Sequence, residues 1–138
     1  MTVREIHIKN REKLIRFFAE EDTVLTVFVF GSHGTEYERK KSDIDLAILF
    51  TDKQSLLNEL YLAAEIERII KKEVDLLPLN KTNILMKYKV LKNGEKIYER
   101  DEIKTADFLE ITLKQYFDFG VKLKQFKRDF CHSLVKED

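Results

Sequence analysis

An α/β fold with helices packed on a sheet is the architecture this sequence predicts, on three observations. Two short runs, Val24–Phe30 and Ile44–Phe50, are apolar, β-branched and aromatic-rich, as buried strands are. Longer segments with apolar residues at helical spacing alternate with such runs, and this alternation puts helices on a sheet. The chain has 138 residues and lacks repeats, low-complexity tracts and linkers, which predicts one domain over 1–138.

Taken in order, a first helix is expected from a cap at Asn10 through Glu21, with Leu14, Ile15, Phe17 and Phe18 as its apolar face. The strand Val24–Phe30 follows and ends in Gly31-Ser32. Residues 33–41 are polar, and the second strand opens at Ile44. Thr51-Asp52-Lys53-Gln54 has the form of a capping box and predicts a helix to about Lys72, with Leu56, Leu60, Ala63, Ala64 and Ile70 at helical spacing. Strand three is expected over Glu73–Leu79, and Pro78 near its end suits an edge or terminal position. Asn80 is the expected cap of the next helix, with Ile84, Leu85, Tyr88 and Leu91 inward and Asn93-Gly94 as its stop. Lys96–Glu99 reads as a short strand. From about Asp101 to Cys131 one long helix is expected, on which Leu109, Tyr116, Leu123 and Phe130 recur every seven residues with Phe119 and Phe126 between them. Leu109 and Tyr116 are expected to pack internally, Phe126 and Phe130 at an intermolecular contact.

Composition narrows the functional classes. Lysine plus arginine and aspartate plus glutamate each number 25, so the net charge is zero and bulk attraction to nucleic acid is not implied. The single cysteine, Cys131, excludes an intrachain disulfide. No apolar leader or membrane-length run is present, which predicts a cytoplasmic protein with no membrane partner.

The chemistry concentrates between Val27 and Phe50. Side chains on a strand alternate faces, so Asp43 and Asp45 project together while Ile44 points away. Aspartate is depleted in strands, and two carboxylates on one face repel unless a cation lies between them. A hard divalent cation such as Mg²⁺, with its preference for oxygen, accounts for the pair. Upstream, Gly31 permits a sharp turn and close backbone approach, and Ser32 offers a hydroxyl to a phosphate oxygen. A phosphate cradle beside a metal-binding carboxylate pair is the signature of phosphoryl or nucleotidyl transfer. Asp75, between Val74 and Leu76, reads on its own equally well as a salt-bridged residue or a functional one.

Gly31-Ser32, ten intervening residues and Asp43-Ile44-Asp45 resemble the Gly-Ser…Asp-x-Asp signature of the DNA polymerase β-like nucleotidyltransferase superfamily. Ser42–Ile48 is similar to its minimal, single-domain branch, known as the antitoxin half of bacterial HEPN/MNT pairs. Val74–Asn80 resembles the strand of the third carboxylate, and Val90–Tyr98 the segment after it, so the resemblance covers about residues 10–100 and, more loosely, the last helix over about 101–132. It implies the α+β nucleotidyltransferase fold with a small mixed sheet. It implies catalytic and metal-holding roles for Asp43, Asp45 and Asp75 toward two Mg²⁺ ions, and nucleotide binding by Gly31 and Ser32. ATP would donate AMP to a hydroxyl, a tyrosine of a HEPN-family ribonuclease toxin. The alternatives are a small-molecule acceptor, as in aminoglycoside nucleotidyltransferases, and a non-catalytic antitoxin that only binds its partner. A homo-oligomer through the C-terminal helix is the other partnership expected. The sequence departs from the family at His33, where relatives commonly carry arginine, and at Glu36, which replaces a frequent glycine.

Overall fold

The computed structural model describes the backbone of residues 3–30 and 44–137, and the side chains of residues 10–30 and 44–132. Its elements run α1 (Val3–Glu20), β1 (Val24–Phe30), β2 (Ile44–Phe50), α2 (Leu56–Ile70), β3 (Val74–Pro78), α3 (Ile84–Asn93), β4 (Glu95–Glu99) and α4 (Glu102–Glu137). The four strands form one sheet in the order β3-β2-β1-β4. β1 pairs antiparallel with both β2 and β4, whereas β2 and β3 run parallel, so the sheet is mixed. A parallel neighbour cannot be reached by a tight turn, and α2 is the crossover that joins β2 to β3.

β1 and β2 send side chains to two helical layers. Ile44, Leu46, Ile48 and Phe50 of β2 join Leu14 and Phe18 of α1 and Leu62, Ile66 and Ile70 of α2 on one face. Ala47 and Leu49 point the opposite way, into a second core with Leu25, Phe28, Leu79 and Val90, against which Met86, Leu91 and Phe108 pack. A strand buried on both faces must be apolar throughout, and this is why β1 and β2 read as continuous apolar runs. Gly94 closes the turn from α3 into β4. A Cβ there would meet the Val90 carbonyl oxygen at 2.6 Å and Phe28 Cβ at 3.4 Å, so only glycine permits this approach.

The sequence-based bounds of β1 and β2 hold, and β3 is an edge strand as Pro78 suggested. Several helix starts differ. α1 begins at Val3, so Asn10 lies inside it: residues 3–9 hold neither proline nor glycine, and nothing halts the helix there. The cap of α2 lies four residues beyond the expected Thr51: the Ser55 hydroxyl accepts from the Asn58 N–H at 3.1 Å. Thr51 instead donates its N–H to Thr23 O, and Gln54 Nε2 donates to Asp52. The face α2 buries is Glu59, Leu62, Ile66 and Ile70, while Leu56 and Leu60 are exposed. Two apolar stripes coexist on this helix, and packing selects the later one. Buried Glu59 is reached by Lys81, whose Nζ lies 2.8 Å from Oε2.

Asn80 does not cap α3. Its side chain brackets Phe50, accepting from the Phe50 N–H at 2.8 Å and donating to the Phe50 carbonyl at 2.9 Å. Asn83 is the cap, accepting from Met86 N at 2.9 Å. On α3, Val90 is fully buried and Leu85 exposed, the reverse of the expected placing of Leu85. α4 is entered through Asp101, whose carboxylate accepts from the N–H groups of Ile103 and Lys104.

Along α4 the inward stripe is Thr105, Phe108, Thr112 and Tyr116. Thr105 and Thr26 share a 2.6 Å hydroxyl contact, and Tyr116 stacks on Tyr88 with ring centroids 3.7 Å apart. Leu109, expected inside, is 40% exposed, because it stands one residue round the helix from the line that Phe108 and Thr112 define. No helix among the described residues is long and apolar enough to cross a membrane.

Candidate active site

The site is built at the end of the sheet where β2 and β3 begin and β1 ends. In the parallel pairing of β2 with β3, Asp45 and Asp75 are direct Cα partners. In the antiparallel pairing on the other side, Asp45 is opposite Phe30. A row therefore crosses three strands in the order Asp75, Asp45, Phe30. Adjacent strands lie about 4.8 Å apart, and partners in register share a face. The alternation along β2 puts Asp45 on the side of Ala47 and Leu49, the side that α3 and α4 cover further along.

The two carboxylates differ in surroundings. Asp45 is half-buried and Asp75 exposed, at the sheet edge. Ile44 and Leu46, on either side of Asp45 in sequence, are buried in the opposite core and hold β2 in register. Ile44 N–H donates to Glu73 O at 2.9 Å, which extends the β2–β3 pairing up to the carboxylate row. Glu67 then locks the start of β3 by accepting from Val74 N at 2.8 Å. The Asp75 carboxylate makes no hydrogen bond or ion pair with the described residues. Among the described residues nothing neutralises the Asp75 carboxylate, and a cation beside Asp45 and Asp75 would relieve their mutual repulsion. The donor set, carboxylate oxygens without sulfur or imidazole, suits a hard divalent ion.

The sequence placed five residues in this site. The structure brings two of them, Asp45 and Asp75, into one row. Gly31, Ser32 and Asp43 lie outside the described residues, as does the stretch from His33 to Glu36. Among the described residues no group of three or more histidine, cysteine or acidic side chains converges on a metal position. Phe30, the aromatic wall beside Asp45, was not singled out in the sequence, although its place immediately before Gly31 was the available signal.

Comparison with known proteins identifies the family and the fold. Residues 12–103 match the family model described as Polymerase beta, Nucleotidyltransferase, which spans all four strands. An inferred protein adenylyltransferase of Methanocaldococcus jannaschii is 36% identical over 63 residues, covering 46% of this chain and 68% of that relative. Among solved structures, a chain from the complex of tri-AMPylated Shewanella oneidensis HEPN toxin with MNT antitoxin superposes with a TM-score of 0.70 at 20% identity, over 89% of this chain and 97% of that one. A chain from the toxin–antitoxin MntA–HepT gives 0.67 at 19% identity, over 87% and 95%. One from a toxin–antitoxin crystallised with AMP-PNP gives 0.68 at 21%, over 87% and 97%. At these identities the structural matches establish the shared fold, and the family match covers most of the chain. The chain belongs to the polymerase beta nucleotidyltransferase family.

Proposed function

We propose that this nucleotidyltransferase transfers AMP from ATP to a tyrosine hydroxyl of a HEPN-family ribonuclease toxin, and so serves as the antitoxin of the pair. The observation that carries the reading is the direct register of Asp45 with Asp75 on one face of adjacent parallel strands. The adenylyltransferase relative and the AMPylated toxin bound to an MNT chain of the same fold support the donor and the acceptor class. Use of ATP as donor fits a cytoplasmic protein.

In the proposed reaction the acceptor oxygen attacks the α-phosphorus of ATP in line with the bond to the leaving oxygen. An O–P bond to the acceptor forms, the Pα–O bond to the β-phosphate breaks, and pyrophosphate departs. Asp75, exposed at the sheet edge, takes the acceptor's proton or orients its hydroxyl. Asp45, half-buried beside it, and Asp43 would hold the metal. Gly31 and Ser32 hold the terminal phosphates. Mg²⁺ at Asp43, Asp45 and Asp75 would supply charge neutralisation for nucleophile and leaving group. In sequence Gly31 follows Phe30 at the end of β1, and Asp43 precedes Ile44 at the start of β2.

The test is transfer of label from α-labelled ATP to the co-purified toxin, comparing the native chain with the Asp43→Asn/Asp45→Asn double variant. The native chain labels the toxin on tyrosine and the variant does not, while both bind the toxin. Undiminished labelling by the variant would place the chemistry elsewhere. Relief of toxicity by the variant equal to that by the native chain would favour neutralisation by binding alone.

A further inference from the structure

From Val121 to His132 every residue of α4 is exposed, so about 18 Å of helix stands clear of the rest of the fold. An isolated segment of this length is marginally helical in water. It carries an apolar ridge on one side. Phe119, Leu123, Phe126 and Phe130 follow the 4-3-4 spacing of a coiled-coil seam, and the rings of Phe126 and Phe130 lie nearly parallel with centroids 6.2 Å apart. This ridge continues the line of Tyr116, the last residue of the stripe that packs on the domain. Phe126 is 65% and Phe130 55% exposed.

The charges beside the ridge indicate what covers it. Lys122 precedes Leu123 and Asp129 precedes Phe130, so the two occupy the same flank of the seam, one heptad apart. We propose that the distal half of α4 pairs antiparallel with the same segment of a second copy of this chain. In that pairing Leu123 meets Phe126 of the second copy and Phe119 meets Phe130, about a two-fold axis. Lys122 then faces Asp129 of the second copy, and Asp129 faces its Lys122, because like flanks meet in an antiparallel pair. A parallel pair brings Lys122 and Asp129 against different positions and forfeits both bridges. The antiparallel arrangement also places the two domains at opposite ends of the helix pair. The Tyr116 positions are then about 25 Å apart along the axis. An interface of four apolar layers is small, so the dimer forms with rising concentration.

The test is sedimentation equilibrium of the full chain up to the roughly millimolar range, with helicity followed by circular dichroism. The native chain is expected to shift from monomer to dimer. Lys122→Asp, which opposes two acidic pairs, should raise the dimer dissociation constant about tenfold. Asp129→Lys should do the same, and the double variant Lys122→Asp/Asp129→Lys should restore native dimerisation. A native chain that stays monomeric throughout would assign the ridge to a different protein and overturn the proposal. A dimer indifferent to either single substitution, or not restored by the double one, would equally overturn it.

Discussion

Replacing Arg100 by alanine removes a side chain that donates to four carbonyl oxygens, of which Phe18 O and Glu21 O also accept from backbone N–H groups. Its Nε donates to Val24 O at 2.8 Å, and one terminal nitrogen reaches Phe18 O at 3.0 Å, Ala19 O at 3.2 Å and Glu21 O at 2.9 Å. The guanidinium is thus the C-terminal cap of α1 and the link between that helix and the start of β1. The bonds to Val24 and Phe18 are part-buried and lack an easy replacement by water. The other two are exposed and contribute less. Hydrogen bonds to charged groups contribute about 1.5–3 kcal/mol each, and the favourable placing of a cation at a helix C-terminus about 0.3–1 kcal/mol. Counting only the two part-buried bonds gives a loss of about 3 kcal/mol. With an unfolding entropy near 2.1 cal/mol/K per residue, Tm should fall by about 10 °C. Urea denaturation followed by circular dichroism measures the loss directly. Arg100→Lys should recover only part of it, since an ammonium keeps the charge but not the planar fork. A loss below about 0.5 kcal/mol in the alanine variant would refute the capping role, because surface substitutions without a partner fall in that range.

Two further perturbations bear on the fold. Asn80→Ala removes both bonds to the Phe50 backbone and should cost about 1–2 kcal/mol, whereas Asn83→Ala should cost about 1 kcal/mol as a helix cap; both are read from the same denaturation curves. Burial, then repulsion from Asp22, Glu65 and Glu20, holds the Glu21 carboxyl above its ordinary value. Its proton is bound more tightly in the folded state, so its stability contribution is complete below the unfolded pKa and is lost as pH rises through the raised one. Glu21→Gln should therefore raise Tm at neutral pH, and the gain should vanish in acid below the ordinary carboxylate range. An equal gain at both pH values would show that charge is not the cause.

How much of this was legible in the sequence depended on how local each cause was. β1 and β2 could be read to the residue, because burial on both faces demands unbroken apolar runs and their bounding residues are polar or small. The start of α2 was not, since Thr51 to Gln54 mimics a capping box and only the tertiary fold recruits Thr51 to Thr23 instead. Asn80 and Asn83 are equivalent as caps in sequence. What separates them is the distance of Asn80 from Phe50, thirty positions upstream. Arg100 gave no signal, for its partners are backbone carbonyls 76 to 82 positions away. The same holds at the site: Asp75 could be named from a resemblance, but its pairing with Asp45 is a property of the parallel β2–β3 register.

That register is the central claim, and Asp75→Asn tests it most directly. ATP affinity by titration calorimetry and single-turnover transfer to the acceptor protein should be measured on the same preparation. Asp75 sits beside Asp45 at the exposed edge of the row, where an acceptor hydroxyl would arrive. The account therefore predicts a chemical step slowed on the order of 10²–10⁴-fold with ATP affinity nearly retained. Transfer at the native rate would contradict it, as would a loss of ATP affinity equal to the loss of turnover, since either result would remove Asp75 from the chemistry.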